Sequence, residues 1–195
     1  MVLTGELVIK QHLSHTGPRV AEAGYSVDCV NGQAKTVRLI QDREFQGRVA
    51  GENAGGGERL FAGSVGTQTV KVFELAIART GLREAEVRAA GFDPVTVETE
   101  TWDHKAYYPD AQKLRIRVTG DRRTDRLLGA QILGHWRSEV SKRIDIFATA
   151  LFHGMGVEDL NDLDLSYTPP FSSPWDPVQM GAQTWVSAIG NGLGK

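Results

Sequence analysis

The 195-residue sequence lacks several features that would place it in a specialised class of protein. Its single cysteine, Cys29, excludes an internal disulfide framework, a CxxC redox pair and a four-cysteine zinc site. The 22 basic residues do not outnumber the 24 acidic ones, which argues against a nucleic-acid binder. No run of about 18 apolar residues occurs, and no basic and apolar leader opens the chain. We therefore expect a cytoplasmic globular protein with neither nucleic acid nor membrane as a partner.

A dinucleotide-binding fingerprint is also missing. Gly51 and the run Gly55-Gly56-Gly57 follow a predicted helix instead of joining a strand to a helix. They therefore do not form the GxGxxG turn that cradles a pyrophosphate. Two nucleotide-binding domains plus a third domain, at roughly 100–150 residues each, would not fit into this chain either. Length and motif together exclude a complete dinucleotide-dependent enzyme of three domains.

Three groups of residues favour a structural role over a chemical one. Cys29 lies in a valine-containing predicted strand without a basic neighbour, which is typical of a buried thiol. His12 and His15 have metal-ligand spacing only within a helix, and no carboxylate pattern completes a site. The acidic stretch 158–164 lacks the spacing of a calcium loop and fits the acidic start of a helix. We expect no metal site.

The predicted elements change in character near the glycine run, so we divide the chain into residues 1–57 and a domain of residues 58–195. In the first part, residues 6–9 resemble a strand, Asn31-Gly32 predicts a hairpin, and residues 41–53 predict a helix. In the second part, the residue patterns predict strands at 67–72, 94–99, 114–118 and 126–133, and helices at 74–79, 82–90, 139–153, 157–163 and from Pro177 onward.

A block of strands followed by helices predicts an α+β domain, with an antiparallel sheet of three to five strands and helices on one face. If residues 94–99 pair with 114–118, Glu98 and Glu100 oppose arginines on the solvated face. Thr119-Gly120-Asp121 is expected to open a turn. In the helix 139–153, Ser138 is the expected N-cap and Arg143 is expected on a face other than the apolar one.

Aromatic residues cluster in two predicted loops, Tyr107-Tyr108-Pro109 and residues 167–171. Aromatic side chains on loops are favoured at interfaces and ligand sites, because they combine apolar area with a polar tip. Local packing of the loops explains the same residues equally well.

Seven motifs, in the same order, resemble the C-terminal part of the pyridine nucleotide-disulfide oxidoreductases. They are residues 47–54, 66–75, 78–82, 107–109, 128–131, 142–145 and 163–172. Within that family they resemble the branch of coenzyme A-disulfide reductase, NADH oxidase and NADH peroxidase. The resemblance covers about residues 41–195, so that the helix 41–53 is similar to a remnant of the family's flavin domain.

The resemblance implies an α+β dimerisation domain. The parent enzymes bind FAD and NAD(P)H in two N-terminal domains, and electrons pass through the flavin to a redox cysteine. Phenols near the partner's active site would donate hydrogen bonds to a thiolate or peroxide oxygen. The tyrosines implied for this role are Tyr107, Tyr108 and Tyr167. The flavin-proximal positions implied are Gln46, Gly47, Pro169, Pro170 and Phe171.

The chain departs from the family pattern where the cofactor chemistry would lie. Residues 1–40 do not match the family, and Cys29 does not reproduce its redox-cysteine motif. We therefore expect no cofactor bound by this chain alone. Three functions stay open: a dimerisation fragment that forms a homodimer, a subunit that completes the site of a separate flavoprotein, and a stand-alone binding protein. The parent's substrate, whether coenzyme A disulfide, oxygen, peroxide or polysulfide, also stays open.

Overall fold

The computed structural model describes residues 25–27, 30–32, 34–36 and 40–192. The chain divides into two compact units, residues 1–66 and 67–195. In the first unit, β1 (Tyr25–Val27) pairs antiparallel with β2 (Ala34–Thr36), and α1 (Ile40–Ala54) follows. The intervening turn contains Gly32 at a φ of 70°, which glycine adopts without strain. The predicted hairpin and helix are thereby confirmed. The predicted strand 6–9, Cys29, His12 and His15 lie outside the described residues.

The second unit contains a five-stranded antiparallel sheet in the order β3-β4-β7-β6-β5. Its strands are β3 (Gln68–Val72), β4 (Leu75–Gly81), β5 (Pro94–Trp102), β6 (Lys113–Asp121) and β7 (Leu127–His135). Its helices are α2 (Glu84–Ala89), α3 (Val140–Phe152), α4 (Val157–Asn161) and α5 (Pro177–Gly190). Helix α3 packs on β4 and β7, and α5 packs on β5 and β6. The predicted α+β class, with helices on one face of an antiparallel sheet, is confirmed.

The core lies between the sheet and the helices α3 and α5. Gly181 brings α5 close to β6, because a Cβ at this position would lie 3.0 Å from Val118 and 3.2 Å from Ile116. Trp185 is 2% exposed, and its indole Nε1 donates a hydrogen bond to the carbonyl oxygen of Val95 at 2.8 Å. Burial of these large side chains is the main stabilising contribution to the unit.

The predicted helix 74–79 is wrong, because these residues form most of β4. Phe73, at a φ of 51°, helps to turn the chain back from β3 into β4. Ala76 and Ala78 are then buried, whereas Leu75 and Ile77 are about half exposed, which is the alternation of a strand. Pairing on both sides, with β3 and with β7, outweighs the helix propensity of this segment.

Three smaller expectations are also corrected. Thr119 and Gly120 belong to β6, with a register shift between them, and only Asp121 opens the turn, since its carbonyl oxygen accepts hydrogen bonds from the N–H groups of Thr124 and Asp125. The N-cap of α3 is Glu139, in a left-handed conformation, instead of Ser138. Arg143 was expected away from the apolar face of the helix, but it is 5% exposed. Its position three residues after Val140 and four before Phe147 places it beside buried side chains.

Among the described residues of the second unit, 67–192, the long helices α3 and α5 cover one face of the sheet, and no helix covers the other. There Val70 pairs with Ile77 and Val72 with Leu75, and these four apolar side chains are 44–53% exposed. We call this group the open face.

The far strands of the same face carry charge. Glu98 opposes Arg117 and Glu100 opposes Arg115, as predicted for the solvated side. Arg115 Nε lies 3.4 Å from a carboxylate oxygen of Glu98, and Lys113 Nζ lies 3.1 Å from one of Glu100. The face therefore divides into an apolar part and a charged part. Within the described part of the chain, each helix is too short or too polar to cross a bilayer.

Candidate functional site

Two aromatic loops meet at one end of the sheet. The β5–β6 loop (residues 103–112) carries Tyr107 and Tyr108, and the α4–α5 loop (residues 162–176) carries Tyr167. The backbone N–H of Lys105 donates a hydrogen bond to the carbonyl oxygen of Pro169 at 3.2 Å. The structure thus joins the two loops that the sequence predicted separately.

The β5–β6 loop is closed at its base by Asp103, which is 5% exposed. Its backbone N–H donates to the carbonyl of Gln112, and its carboxylate accepts from the backbone N–H of Gln112, both at 2.9 Å. His104 bridges the loop, since Nδ1 lies 2.9 Å from the Asp103 carboxylate and Nε2 lies 3.1 Å from the carbonyl oxygen of Pro109. The closed base presents Tyr107 and Tyr108, 74% and 41% exposed, at the tip.

The α4–α5 loop turns at Thr168, whose carbonyl oxygen accepts hydrogen bonds from the backbone N–H groups of Phe171 and Ser172. It ends at Asp176, whose carboxylate accepts from the N–H of Val178 at 2.9 Å and so caps α5. The Ser172 hydroxyl donates to the same carboxylate at 2.8 Å. Tyr167 and Phe171 stand outside this framework, 44% and 75% exposed.

Arg143 of α3 lies behind both loops. Its guanidinium donates to the carbonyl oxygens of Ser138 at 2.6 Å, Asp103 at 2.7 Å and Phe171 at 3.2 Å. Its Nε also lies 3.4 Å from the carboxylate of Asp176. One buried cation therefore contacts both aromatic loops and the connection that follows β7.

A cavity of about 430 Å³ opens beside these groups. Its lining mixes side chains of both charges with imidazole, including Asp110, His135, Arg137 and Glu139. At its edge, the indole N–H of Trp136 donates to Glu74 at 2.9 Å and lowers the pKa of that carboxyl below its ordinary value. Among the described residues, no group of three or more potential ligands could hold a metal ion.

The implied flavin-proximal residues fall in both units. Gln46, with a buried side chain, and Gly47, which is exposed, lie on α1 in the first unit. Pro169, Pro170 and Phe171 belong to the α4–α5 loop. The mixed charges of the cavity do not resemble the glycine turn at a helix start that binds a pyrophosphate. The lining of this cavity therefore does not fit the pyrophosphate of a flavin.

Sequence reasoning found the aromatic residues of the site but missed its framework. Asp103 and His104 were not singled out, and the prediction of a helix from Pro177 onward gave Asp176 no role in the site. Arg143 was noted within a motif but not as a buried residue. The signal for its burial was its helical spacing, three residues after Val140 and four before Phe147, which places it on the apolar face.

Sequence comparison with known proteins identifies one family and relatives that agree with it. The model of the pyridine nucleotide-disulphide oxidoreductase dimerisation domain matches residues 67–177. The chain is 35% identical over 149 residues to the NAD(P)H coenzyme A polysulfide/persulfide reductase of Pyrococcus horikoshii. The matched region covers 76% of this chain and 33% of that protein. It is 33% identical over 132 residues to the coenzyme A disulfide reductase of Staphylococcus haemolyticus, covering 68% of this chain and 29% of that protein.

Structural comparison agrees with this. The NAD-dependent persulfide reductase from A. fulgidus superimposes with a TM-score of 0.81 at 36% identity, over 87% of this chain and 31% of that one. This chain therefore spans about a third of the length of the relatives it matches.

Proposed function

The chain belongs to the pyridine nucleotide-disulphide oxidoreductase family through its dimerisation domain, and from this membership we propose that it pairs through its open face to form a homodimer. In this proposal the chain supplies an interface, and it carries the tyrosines Tyr107, Tyr108 and Tyr167 that in a whole enzyme of the family would lie beside a partner's active site. It does not by itself turn over NAD(P)H, and it binds no cofactor alone. The family is FAD- and NAD(P)H-dependent.

The observation that carries the pairing is the open face. Val70, Val72, Leu75 and Ile77 form two directly opposed pairs and are all about half exposed. Contiguous exposed apolar groups bordered by charge are typical of protein interfaces. On the same face, beyond β7, Glu98, Glu100, Arg115 and Arg117 supply charges of both signs.

Sedimentation velocity of the whole chain tests the pairing. We expect a dimer for the unchanged chain and a monomer for Ile77→Asp, because a carboxylate placed in the apolar group would be desolvated on association. Phe152→Asp is the matched control: Phe152, at 51% exposed, is about as accessible as Ile77, but it ends α3 in the helix layer. It should leave the dimer intact. A monomeric unchanged chain, or equal dissociation of both variants, would refute this role of the open face.

The absorbance spectrum of the same sample tests the cofactor part. We expect a colourless protein. A flavin spectrum at stoichiometric occupancy would contradict the proposal that the chain lacks a complete cofactor site.

A second candidate function is favoured by the exposure of the aromatic loops. Tyr107, Phe171 and Trp175 are 74%, 75% and 57% exposed on loops whose bases are firmly hydrogen-bonded. Large apolar side chains presented on a rigid framework favour contact with a partner. In this alternative the chain completes the active site of a separate flavoprotein chain.

Reconstitution separates the two candidates. The chain would be titrated into the flavin-binding part of a coenzyme A disulfide reductase from which the dimerisation domain has been removed. If the second candidate holds, disulfide reduction rises to saturation at one chain per flavin. If the chain forms only homodimers, activity stays at the level of the truncated flavoprotein.

A further inference from the structure

We propose that Arg143 is a positioning residue that holds the two tyrosine-bearing loops in one fixed arrangement. This role rests on the proposed function in one respect, because positioning the tyrosines matters only if they act at a partner's active site. The contacts of Arg143 and the exchange experiment below do not depend on that function. Nothing in the composition of the loops themselves requires this cation. Its partners in the two loops, Asp103, Phe171 and Asp176, lie 28 to 40 residues away from it along the chain.

The argument begins with the number of separate segments that meet at one guanidinium. Nη2 is shared between the carbonyl of Asp103, at the base of the β5–β6 loop, and that of Phe171, in the α4–α5 loop. Nη1 donates to Ser138 in the connection between β7 and α3. Because a planar guanidinium fixes the directions of its donors, the three carbonyls are held at set positions relative to one another.

The second step is burial. Arg143 is 5% exposed, and burying a cation is costly unless it is paired and hydrogen-bonded. The Asp176 carboxylate supplies the opposite charge, and three backbone carbonyls accept from the donors. Movement of either loop would leave a buried donor without its acceptor. The native arrangement of both loops is therefore coupled to the charge of Arg143.

The segments that Arg143 couples are the two loops that carry the tyrosines. Asp103 begins the loop that presents Tyr107 and Tyr108, and Phe171 follows Tyr167 by four residues in its own loop. The direct link between the loops is the hydrogen bond from the Lys105 N–H to the Pro169 carbonyl, at 3.2 Å. This contact is long for such a bond. The bond from Arg143 to the Phe171 carbonyl is equally long at 3.2 Å, but it belongs to a buried, charge-assisted set that also contacts Asp103 and Asp176. We infer that this set fixes the register of the loops, and that the Lys105 contact follows from it.

Amide hydrogen exchange on the whole chain tests the proposal. In Arg143→Lys, a point charge replaces the planar fork, so the carbonyls can no longer all be satisfied. We expect the amides of Lys105, Phe171 and Ser172 to exchange about tenfold faster or more, and together. Amides of the central strands, such as Ile116 and Ile132, report on global stability and should change much less. Lys142→Met is the matched control, because it removes an exposed cation from the neighbouring position on α3.

The outcomes are distinct. If Arg143→Lys leaves loop exchange unchanged, or if loop and core amides accelerate equally, Arg143 is not a positioning residue. Arg143→Met serves as a second variant when it folds, and it should increase loop exchange further than the lysine. A further outcome is that Arg143→Lys accelerates the loop amides more than the core amides, as expected, while Tyr167→Phe leaves the activity of the reconstituted complex unchanged. In that case the positioning role stands and the proposed function of the tyrosines fails.

Discussion

The indole ring of Trp185 lies directly against Gly120, so that a Cβ on this glycine would be only 2.7 Å from two of the ring carbons. The same indole donates its N–H to the carbonyl of Val95, and Val95 is the register partner of Gly120. The ring therefore covers one cross-strand pair of β5 and β6. Glycine is required on one side of that pair because the ring occupies the space a side chain would need.

Gly120→Ala should destabilise the second unit. The methyl group would clash with a ring that is itself 2% exposed and cannot move freely, and overpacking of this kind costs about 1–3 kcal/mol. Urea unfolding followed by tryptophan fluorescence measures the loss. Gly190→Ala, on the same helix as Trp185, is the control, since a Cβ there meets nothing within 4 Å. Equal midpoints for the two variants would disprove the packing argument.

Stability at acid pH should depend on Asp121. Burial alone would raise the pKa of its carboxyl, but the Thr124 hydroxyl, the Asp93 N–H and Arg123 favour the ionised form, so the pKa lies below its ordinary value. A lowered pKa in the folded state means that the contribution to stability is complete above the ordinary pKa of about 3.9 and is lost as pH falls further.

The corresponding variant is Asp121→Asn, which should lower the free energy of unfolding by about 1–2 kcal/mol near neutral pH. Its difference from the unchanged chain should shrink below about pH 4. Asp145→Asn, at an exposed ion pair with Lys142, is the control and should have little effect at any pH. A constant difference for Asp121→Asn from pH 7 to pH 3 would show that charge is not the cause.

Replacement of Phe73 by asparagine should stabilise the folded monomer and weaken its association into a dimer. It is 89% exposed at a φ of 51°, a conformation that a bulky residue adopts at a cost and that asparagine tolerates better. In an Ile77→Asp background, where the chain is expected to be monomeric, Phe73→Asn should raise the free energy of unfolding by about 0.5–1 kcal/mol. In the unchanged background it should weaken the dimer, measured by sedimentation equilibrium. A variant that weakens folding in the monomer would refute the strain argument.

Tyr167→Phe should lower the activity of a reconstituted flavoprotein complex. Loss of one hydroxyl that stabilises a developing anion typically lowers kcat about 100-fold, whereas KM for NAD(P)H should stay the same. Trp175→Phe changes an exposed aromatic residue of the same loop without removing a phenol, and it serves as the control. Equal activity of Tyr167→Phe and the unchanged chain would remove this tyrosine from the mechanism.

Local signals in the sequence account for much of this fold. Asn31-Gly32 predicted the hairpin because few residues adopt the required positive φ, and alternation on β5 and β6 predicted the pairing of Glu98 with Arg117. The aromatic loops were located because tyrosines and prolines lie between regular segments. In each case the decisive interaction is close in sequence or follows from a simple period.

The two larger errors concern interactions between distant segments. Residues 75–79 have helix-forming composition, and they become a strand because β3 and β7 pair with them. Arg143 was not recognised as buried because its acceptors, at Asp103 and Phe171, are brought to it only by the tertiary fold. A charged residue inside a helix is normally assigned to solvent, and no local pattern identifies its partners.

If the chain pairs through its open face as proposed, the free energy of unfolding of this unit depends on the abundance of the chain. A surface that is covered only on association adds its stabilisation by mass action, so the free energy of unfolding grows with protein concentration. While the dimer predominates, each tenfold dilution lowers the free energy of unfolding by about 1.4 kcal/mol per mole of dimer. Dilution also uncovers Val70 and Val72 on the edge strand β3, where a foreign strand could pair. At low concentration the chain is therefore more prone to aggregation and degradation, and dimer formation at higher concentration protects it.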